Sequence, residues 1–437
     1  MNGGFLWLAV STGFLSLLTP CVFPMVPITV AYFSAGSASR SRGTRTALLF
    51  ALGIIATFTA LGLALAGIFG AAGLNRFAAS PTVNLIFAAL FLVFAANLFG
   101  WVDLSPPSAL LTRANRDSSS SESFGALLMG ATFTLTSVTC TAPFVGTLLV
   151  LASRGSWSTP VVGMLAYSAA FALPFFLLAL APRYVARLPR AGEWMLTMRV
   201  LIGLLEVGAA VKFASNADMV RHWGVLTRDT VLYSWAVLAL IGALYLARNV
   251  LVRKSEHRLS PVTRGIPAVL ALGLSVWLLS GINGRRLPQV DAFLPPVAVA
   301  ATPTTTAGAS TEMRWVINDH PAALATARES GRLVFLDFTG YTCTNCRWME
   351  ANVFTDPRVA AELKQFVLSR LYTDGEGELY ERHQAFQEEK FGTVALPLYA
   401  VVEPNGEVRG TLSGLTRNPT EFAAFLQRAR AARVASR

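Results

Sequence analysis

The sequence predicts a polytopic α-helical membrane domain followed by a C-terminal α/β domain, and three observations lead there. Seven long windows, 1–39, 46–75, 77–102, 123–153, 155–182, 230–247 and 265–284, contain no Asp, Glu, Lys or Arg. Overall, 53% of the 437 residues are hydrophobic and only 14% are charged, against about 25% charged in ordinary soluble domains. Residues 313–437 break with this pattern: they hold 15 Lys/Arg and 15 Asp/Glu, in alternating apolar runs and amphipathic stretches. Such a chain is neither an ordinary soluble enzyme nor a disordered or fibrous protein.

Each charge-free window is long enough for one span, since a hydrocarbon core about 30 Å thick takes roughly 20 helical residues at 1.5 Å each. An eighth apolar stretch, about 195–215, carries Arg199, Glu206 and Lys212. Eight transmembrane helices are therefore predicted. Ionisable residues inside a membrane are functional by default. For Glu206, an ion pair with Arg199 on the same helix face, or snorkelling of Arg199 and Lys212, competes with that reading.

The net charge of +11 would raise nucleic acid as a partner if it lay on a soluble surface. It lies in the membrane half instead: residues 1–312 hold 21 Lys/Arg and 10 Asp/Glu. Loops after the odd-numbered spans carry 13 basic residues, and loops after spans two, four and six carry four, namely Arg76, Arg154, Arg221 and Arg228. The positive-inside rule makes the first set cytoplasmic. Both termini, and the C-terminal domain, are then extracytoplasmic, and no nucleic-acid partner is expected. The N-terminus lacks the basic n-region of a signal peptide. Small residues at 35–39 would suit cleavage, but cleavage would discard Cys21, so span one is read as retained.

Spans one and four share a motif. Thr19-Pro20-Cys21-Val22-Phe23-Pro24-Met25-Val26-Pro27 and Val138-Thr139-Cys140-Thr141-Ala142-Pro143-Phe144-Val145-Gly146 each contain Cys-x-x-Pro, followed three residues later by Pro or Gly. Three spans separate the copies, so spans one to three and four to six form an inverted repeat, an architecture that places its site near the midplane at broken helices. Proline removes a backbone donor and clashes with the preceding turn. Pro24 and Pro143 thus interrupt their helices beside Cys21 and Cys140, opening backbone that only neighbours or a water-lined cavity can satisfy. Two buried packing thiols in kinked helices are the bland alternative; two copies in matching places favour a functional pair.

Residues 285–312, with Pro288, Pro295, Pro296, Pro303 and a Thr/Ala run, read as a semi-extended tether. It divides a membrane domain, 1–284, from a soluble domain, 313–437. In the latter, Arg332–Phe338 reads as a buried strand, Phe366–Leu371 as a second, Leu379–Phe391 as an amphipathic helix, Leu398–Glu403 and Glu407–Leu412 as a hairpin, and Thr420–Arg433 as a closing helix. Cys343-Thr344-Asn345-Cys346 follows the first strand and opens a helix, the setting of a thioredoxin-like redox motif. Two intervening residues put both sulfurs on one turn. The helix dipole stabilises a thiolate at the exposed Cys343, which attacks disulfides while Cys346 resolves the mixed disulfide. Zinc is the rival use of such a pair. It generally wants four ligands, and His320 and His383 are distant in sequence. Asp337, six residues before Cys343, is a candidate to take the proton of Cys346, the alternative being an ordinary strand-end carboxylate.

Taken together, these motifs resemble the DsbD/CcdA family of thiol:disulfide interchange proteins, over nearly the whole chain. Cys21 and Cys140 fall at the family's paired membrane positions. Asp337, Cys343, Cys346 and Pro397 fall where thioredoxin folds place a buried acid, two cysteines and a cis-proline. The resemblance implies a protein-disulfide reductase of the bacterial inner membrane. In it, cytoplasmic thioredoxin reduces a Cys21–Cys140 disulfide, and that dithiol reduces Cys343–Cys346. The soluble domain then serves extracytoplasmic proteins such as disulfide isomerases and cytochrome c maturation factors. No metal or organic cofactor is implied, only redox-active disulfides. The family's N-terminal β-sandwich domain is not expected, because Met1 leads almost directly into span one, and the loop Gly340-Tyr341-Thr342 lacks the common tryptophan. Two other classes fit the residues: a small-molecule or metal-ion transporter with a regulatory redox domain, and a sensor or tethered chaperone that uses the soluble fold for binding alone.

Overall fold

The structure, a computed structural model, describes residues 3–17, 40–102, 125–135, 137, 158–180, 193–252, 261–282, 285–288, 290–295 and 313–434. Every one of the eight predicted spans contains a described helix: α1 (Gly3–Ser16), α2 (Arg40–Ala79), α3 (Pro81–Leu98), α4 (Gly125–Leu135), α5 (Ser158–Leu180), α6 (Glu193–Arg221), α7 (Arg228–Val252) and α8 (Pro261–Leu279). Among the described residues, three stretches are long and apolar enough to cross a membrane by length and composition: Thr44–Ala64, Pro81–Leu98 and Arg228–Arg248. Cys21, Pro24, Cys140 and Pro143 lie outside the described residues.

The chain forms two compact units, one of Met1–Leu74, Ala89–Ala210 and Leu244–His257, the other of Asn75–Ala88, Val211–Ala243 and Arg258–Arg437. In the first, α1 packs along α5, and an aromatic core of Phe50, Phe58, Phe133, Tyr167, Phe171 and Phe175 fills the interior. Glycine sets the closest approach. A Cβ on Gly53 would stand 2.5 Å from the Leu127 carbonyl oxygen, and one on Gly130 2.5 Å from that of Phe50, so α2 and α4 meet backbone to backbone. Small residues at helix contacts are how membrane helices gain packing without a hydrophobic drive between them. Tyr167 OH donates to Ser16 Oγ at 2.8 Å, which satisfies a buried polar pair between α1 and α5.

The second unit holds the α/β domain. Its five strands, β1 (Trp315–Ile317), β2 (Val334–Thr339), β3 (Val367–Tyr372), β4 (Leu398–Val402) and β5 (Val408–Ser413), lie in the order β1-β3-β2-β4-β5. The first three in that order are parallel, and β4 and β5 are antiparallel. Helix α9 (His320–Ser330) begins at Asp319, whose side chain accepts from Ala322 N–H, and ends at Gly331 in the left-handed region. Helices α10 (Thr344–Asn352), α11 (Pro357–Leu363), α12 (Glu378–Phe391) and α13 (Pro419–Val434) complete the fold. Phe335, Tyr399, Met349, Phe354 and Phe422 pack on one sheet face; Leu336, Phe338, Leu371, Leu398 and Ala400 pack on the other. Strand β2 is buried along its whole length, as its apolar run requires with helices on both faces.

One expectation changes. The first part of the proline-rich stretch is packed rather than extended. Leu287 and Leu294 are buried with Val231, Leu232, Ala236 and Leu278, and a 3-10 turn forms at Asp291–Phe293. Arg228 fixes it. The guanidinium donates to the carbonyls of Gly281 (2.7 Å) and Arg285 (2.8 Å) and pairs with Asp291 at 2.8 Å. The prolines and the Thr/Ala run argued for a tether, but two leucines and one carboxylate suffice once a buried arginine faces them.

Candidate functional site

The site forms at the C-terminal end of β2. That strand delivers Asp337 and Thr339, then Gly340-Tyr341-Thr342 turns into α10. Cys343 caps the helix in extended conformation, and its Sγ accepts from Cys346 N–H at 3.1 Å. Cys343 and Cys346 are disulfide-bonded, with Cα atoms 5.3 Å apart. The two sulfurs are not equivalent: Cys343 is half-buried, whereas Cys346 is 1% exposed. Only the first is open to an incoming thiolate, and it sits at the positive end of the helix, where a leaving or resting thiolate is stabilised.

The turn before Cys343 is clamped. Tyr341 N–H donates to Asp374 Oδ1 at 2.7 Å, and Thr342 donates through both N–H and hydroxyl to Oδ2, each at 2.9 Å. Burial pushes the Asp374 carboxyl above its ordinary range, and these three donors pull it back. The Tyr341 ring stacks on Tyr372, centroids 4.0 Å apart, which fixes the loop from its other side. A Cβ on Gly340 would lie 2.6 Å from Asp374 Oδ2, so glycine is what lets the carboxylate reach the turn. The peptide bond Leu396–Pro397 is cis, and Pro397 O accepts from Gly414 N–H at 2.8 Å, immediately before β4.

Beneath α10 lies a buried charge network of two acids and two bases. Asp337 is 1% exposed and accepts from Arg370 Nε at 2.8 Å. Glu350 Oε1 lies 2.8 Å from Arg347 Nη2 and 3.2 Å from Arg370 Nη2. Arg347 also donates to Thr339 Oγ1 at 2.9 Å, and Arg370 lies over the Trp315 ring at 4.1 Å. Burial pushes the Asp337 carboxyl up to about 6; Arg370 and Arg347 oppose the rise and Glu350 adds to it. The hydrogen bond that Asp337 accepts thus comes from Arg370 and not from a cysteine thiol.

Sequence reasoning did not single out Glu350, Arg347, Arg370 or Asp374. Two signals were there. Arg370 is the one charge within the strand sequence Val367-Leu368-Ser369-Arg370-Leu371-Tyr372, and Glu350 stands four residues after Cys346 on the same helix. In the same compact unit, the 3-10 turn Asp291–Phe293 packs against α10, Arg221 pairs with Glu376 at 2.9 Å, and the His222 ring lies edge-on to Tyr341 at 5.2 Å. Among the described residues, no three His, Cys, Asp or Glu side chains are grouped to hold a metal ion.

Comparison with known proteins agrees with this geometry. Residues 4–217 match a family described as the cytochrome c biogenesis protein transmembrane domain, and residues 314–404 match one described as thioredoxin-like. The chain is 30% identical over 376 residues to the thiol:disulfide interchange protein DsbD of Ralstonia nicotianae, covering 84% of this chain and 59% of the relative. It is 32% identical over 370 residues to that of Vibrio vulnificus, covering 83% and 57%. To that of Pectobacterium atrosepticum it is 27% identical over 438 residues, covering 97% and 68%. The chain spans about three fifths of the length of the first two relatives.

Proposed function

The chain belongs to the DsbD family of thiol:disulfide interchange proteins, and from that premise we propose that it is a membrane protein-disulfide reductase relaying electrons outward. The observation that carries the reading is the Cys343–Cys346 disulfide at the start of α10, one sulfur half-buried and the other enclosed, on a chain whose preceding half is a polytopic membrane domain. The membrane domain is 1–284 and the reductase domain 313–437, with 285–312 between them.

Each step is thiolate attack on a disulfide, so no organic cofactor or metal enters. Reduced cytoplasmic thioredoxin attacks a Cys21–Cys140 disulfide and leaves oxidised, having passed on two electrons. Breaks at Pro24 and Pro143 give the pair access to both sides, as alternating repeats do. A thiolate of the membrane pair attacks Cys343 Sγ. The S–S bond breaks, a mixed disulfide forms, and Cys346 departs as a thiolate that is protonated within the buried network. The second membrane thiol resolves the mixed disulfide. Cys343 then attacks an oxidised extracytoplasmic protein, and Cys346 releases it reduced, Asp337 taking the proton. Cis-Pro397 supplies backbone against which the substrate chain lies. Disulfide isomerases and cytochrome c maturation factors are acceptors of suitable chemistry, and the site of action is the outer face of a bacterial inner membrane.

The test traps the redox state of Cys343–Cys346 in cells by acid quench and thiol alkylation, with and without cytoplasmic thioredoxin. The pair accumulates oxidised when thioredoxin is absent or when Cys21 or Cys140 is replaced by Ser. A pair that stays reduced in the Cys21→Ser protein refutes the relay.

A further inference from the structure

The loops after the even-numbered spans hold four basic residues, and three of them, Arg76, Arg221 and Arg228, are among the described residues. Each faces an acid that follows the last span, within one compact unit. At the end of α2, Arg76 Nη1 pairs with Glu381 at 3.1 Å, and its Nε donates to Gln384 Oε1 at 2.7 Å. At the end of α6, Arg221 pairs with Glu376, and the next residue, His222, sets its ring edge-on to Tyr341. At the start of α7, Arg228 holds Asp291, and the 3-10 turn so fixed packs against α10. The receiving groups are close together in the soluble domain. Glu376 precedes α12 and Glu381 stands in its first turn, the helix end at which acids are stabilised. Gln384 follows one turn later and is 2% exposed. Tyr380, between them, has its hydroxyl 3.3 Å from that of Tyr341, two residues before Cys343. The contacts thus end on the loop and the helix that carry the cysteine pair.

The ion pairs differ in burial. The side chains of Arg228 and Asp291 are 7% and 12% exposed. Those of Arg76 and Glu381 are 46% and 56% exposed, and those of Arg221 and Glu376 are 43% and 47%. An enclosed pair is costly to break, whereas exposed pairs are individually weak and screened by salt. One contact is therefore a fixed corner and the other two are releasable. We propose that the ends of α2 and α6 form a releasable electrostatic seat for the reductase domain, with the turn held by Arg228 as its fixed corner. The occupant is this chain's own domain, matched arginine to glutamate at two places. The proposal rests on the relay reading and names a surface that the relay uses: the seated state takes electrons from the membrane half, and the released state delivers them. Residues 296–312 keep the released domain on the chain, and the seat raises its local concentration above what that connection alone provides. The seat also gives these arginines a use on the side where the positive-inside rule leaves few basic residues.

The experiment uses the full chain in proteoliposomes and has two readouts. In a chain without its four native cysteines, Arg76→Cys and Glu381→Cys are joined by a short bismaleimide, and the linked peptides are measured by mass spectrometry. Linkage is efficient at low salt. It falls roughly fivefold when Arg221→Glu is added, the scale expected for turning one exposed pair from attraction to repulsion. It returns when Glu376→Arg is added as well. In the chain with its native cysteines, reduction of Cys343–Cys346 by thioredoxin slows by a similar factor in Arg221→Glu and recovers in the Arg221→Glu/Glu376→Arg protein. High salt brings the wild-type rate down to that of Arg221→Glu. Damage to folding would not be repaired by exchanging the two charges. If Arg221→Glu fails to insert, Arg221→Gln decides, with a loss of roughly twofold in both readouts. An exchange that recovers neither readout overturns the proposal. So does linkage indifferent to salt and charge, which would make the seat permanent, and so does linkage that falls while the rate of reduction holds. A wild-type chain that never reduces Cys343–Cys346, while linkage responds as expected, sinks the relay and leaves the seat standing.

Discussion

Asp337 sits between burial, which favours its neutral form, and Arg370, which favours its charge; the balance leaves its carboxyl at about 6. A proton acceptor must be the carboxylate, so its fraction rises as pH climbs through 6. Reduction of a target disulfide by the reduced domain should therefore accelerate across that interval in stopped-flow assays. Asp337→Asn should remove the inflection and slow the step on the order of 10²-fold; an unchanged pH profile would exclude Asp337 as the acceptor. A second residue-level expectation concerns Gly340. Its replacement by Ala drives a methyl into Asp374 Oδ2 and strips the carboxylate from Tyr341 and Thr342. Leaving those buried groups unpaired costs about 2 kcal/mol, visible as a lower denaturant midpoint; a wild-type midpoint would show that the carboxylate has another way to reach the turn. The cysteine pair was legible in the sequence because its chemistry is local, two sulfurs on one helical turn. The network behind it was not. Asp337 and Arg370 become partners only through the parallel register of β2 on β3, which pairs those two positions across 33 intervening steps of chain.

Elements with a long apolar signal were equally legible. The strands at 332–338, 366–371, 398–403 and 407–412 and the helices at 379–391 and 420–433 match the observed ones to within a residue or two at either end. Elements without such a signal were missed. Strand β1 has three residues, too few for any periodicity, and α9 and α11 are short and rich in alanine. The 3-10 turn at Asp291–Phe293 was hidden by its prolines. It depends on Arg228, buried against Asp291, and removing one partner of such a pair costs about 3 kcal/mol. Arg228→Gln should release the segment, raising limited-proteolysis cleavage between 285 and 295 roughly 10²-fold. Pairing Arg228→Met with Asp291→Leu should restore much of the protection, since an apolar pair of similar volume replaces a buried ion pair at little loss. If both variants are cleaved equally, the turn is held by its leucines and not by the ion pair.

At the scale of the molecule, the relay works only if the reductase domain and the thioredoxin-facing loops lie on opposite sides of the membrane. The sequence argues for that through charge alone: 13 basic residues after odd-numbered spans against four after the even-numbered ones. The positive-inside bias counts such residues near span ends, and an alternating count over eight spans is hard to produce by chance packing of surface charge. Described helices lie in all eight of the windows between which these residues are counted. The +11 net charge is, on this view, an address written for the membrane, and the neutral reductase domain carries none of it. Single cysteines introduced at Arg42 and Arg253, in a chain lacking its native four, should react with an impermeant maleimide only after the cells are opened. Cysteines at Arg221 and Thr227 should react in intact spheroplasts. The reverse pattern would put Cys343 and Cys346 in the reducing cytoplasm, where an outward relay has nothing to deliver to.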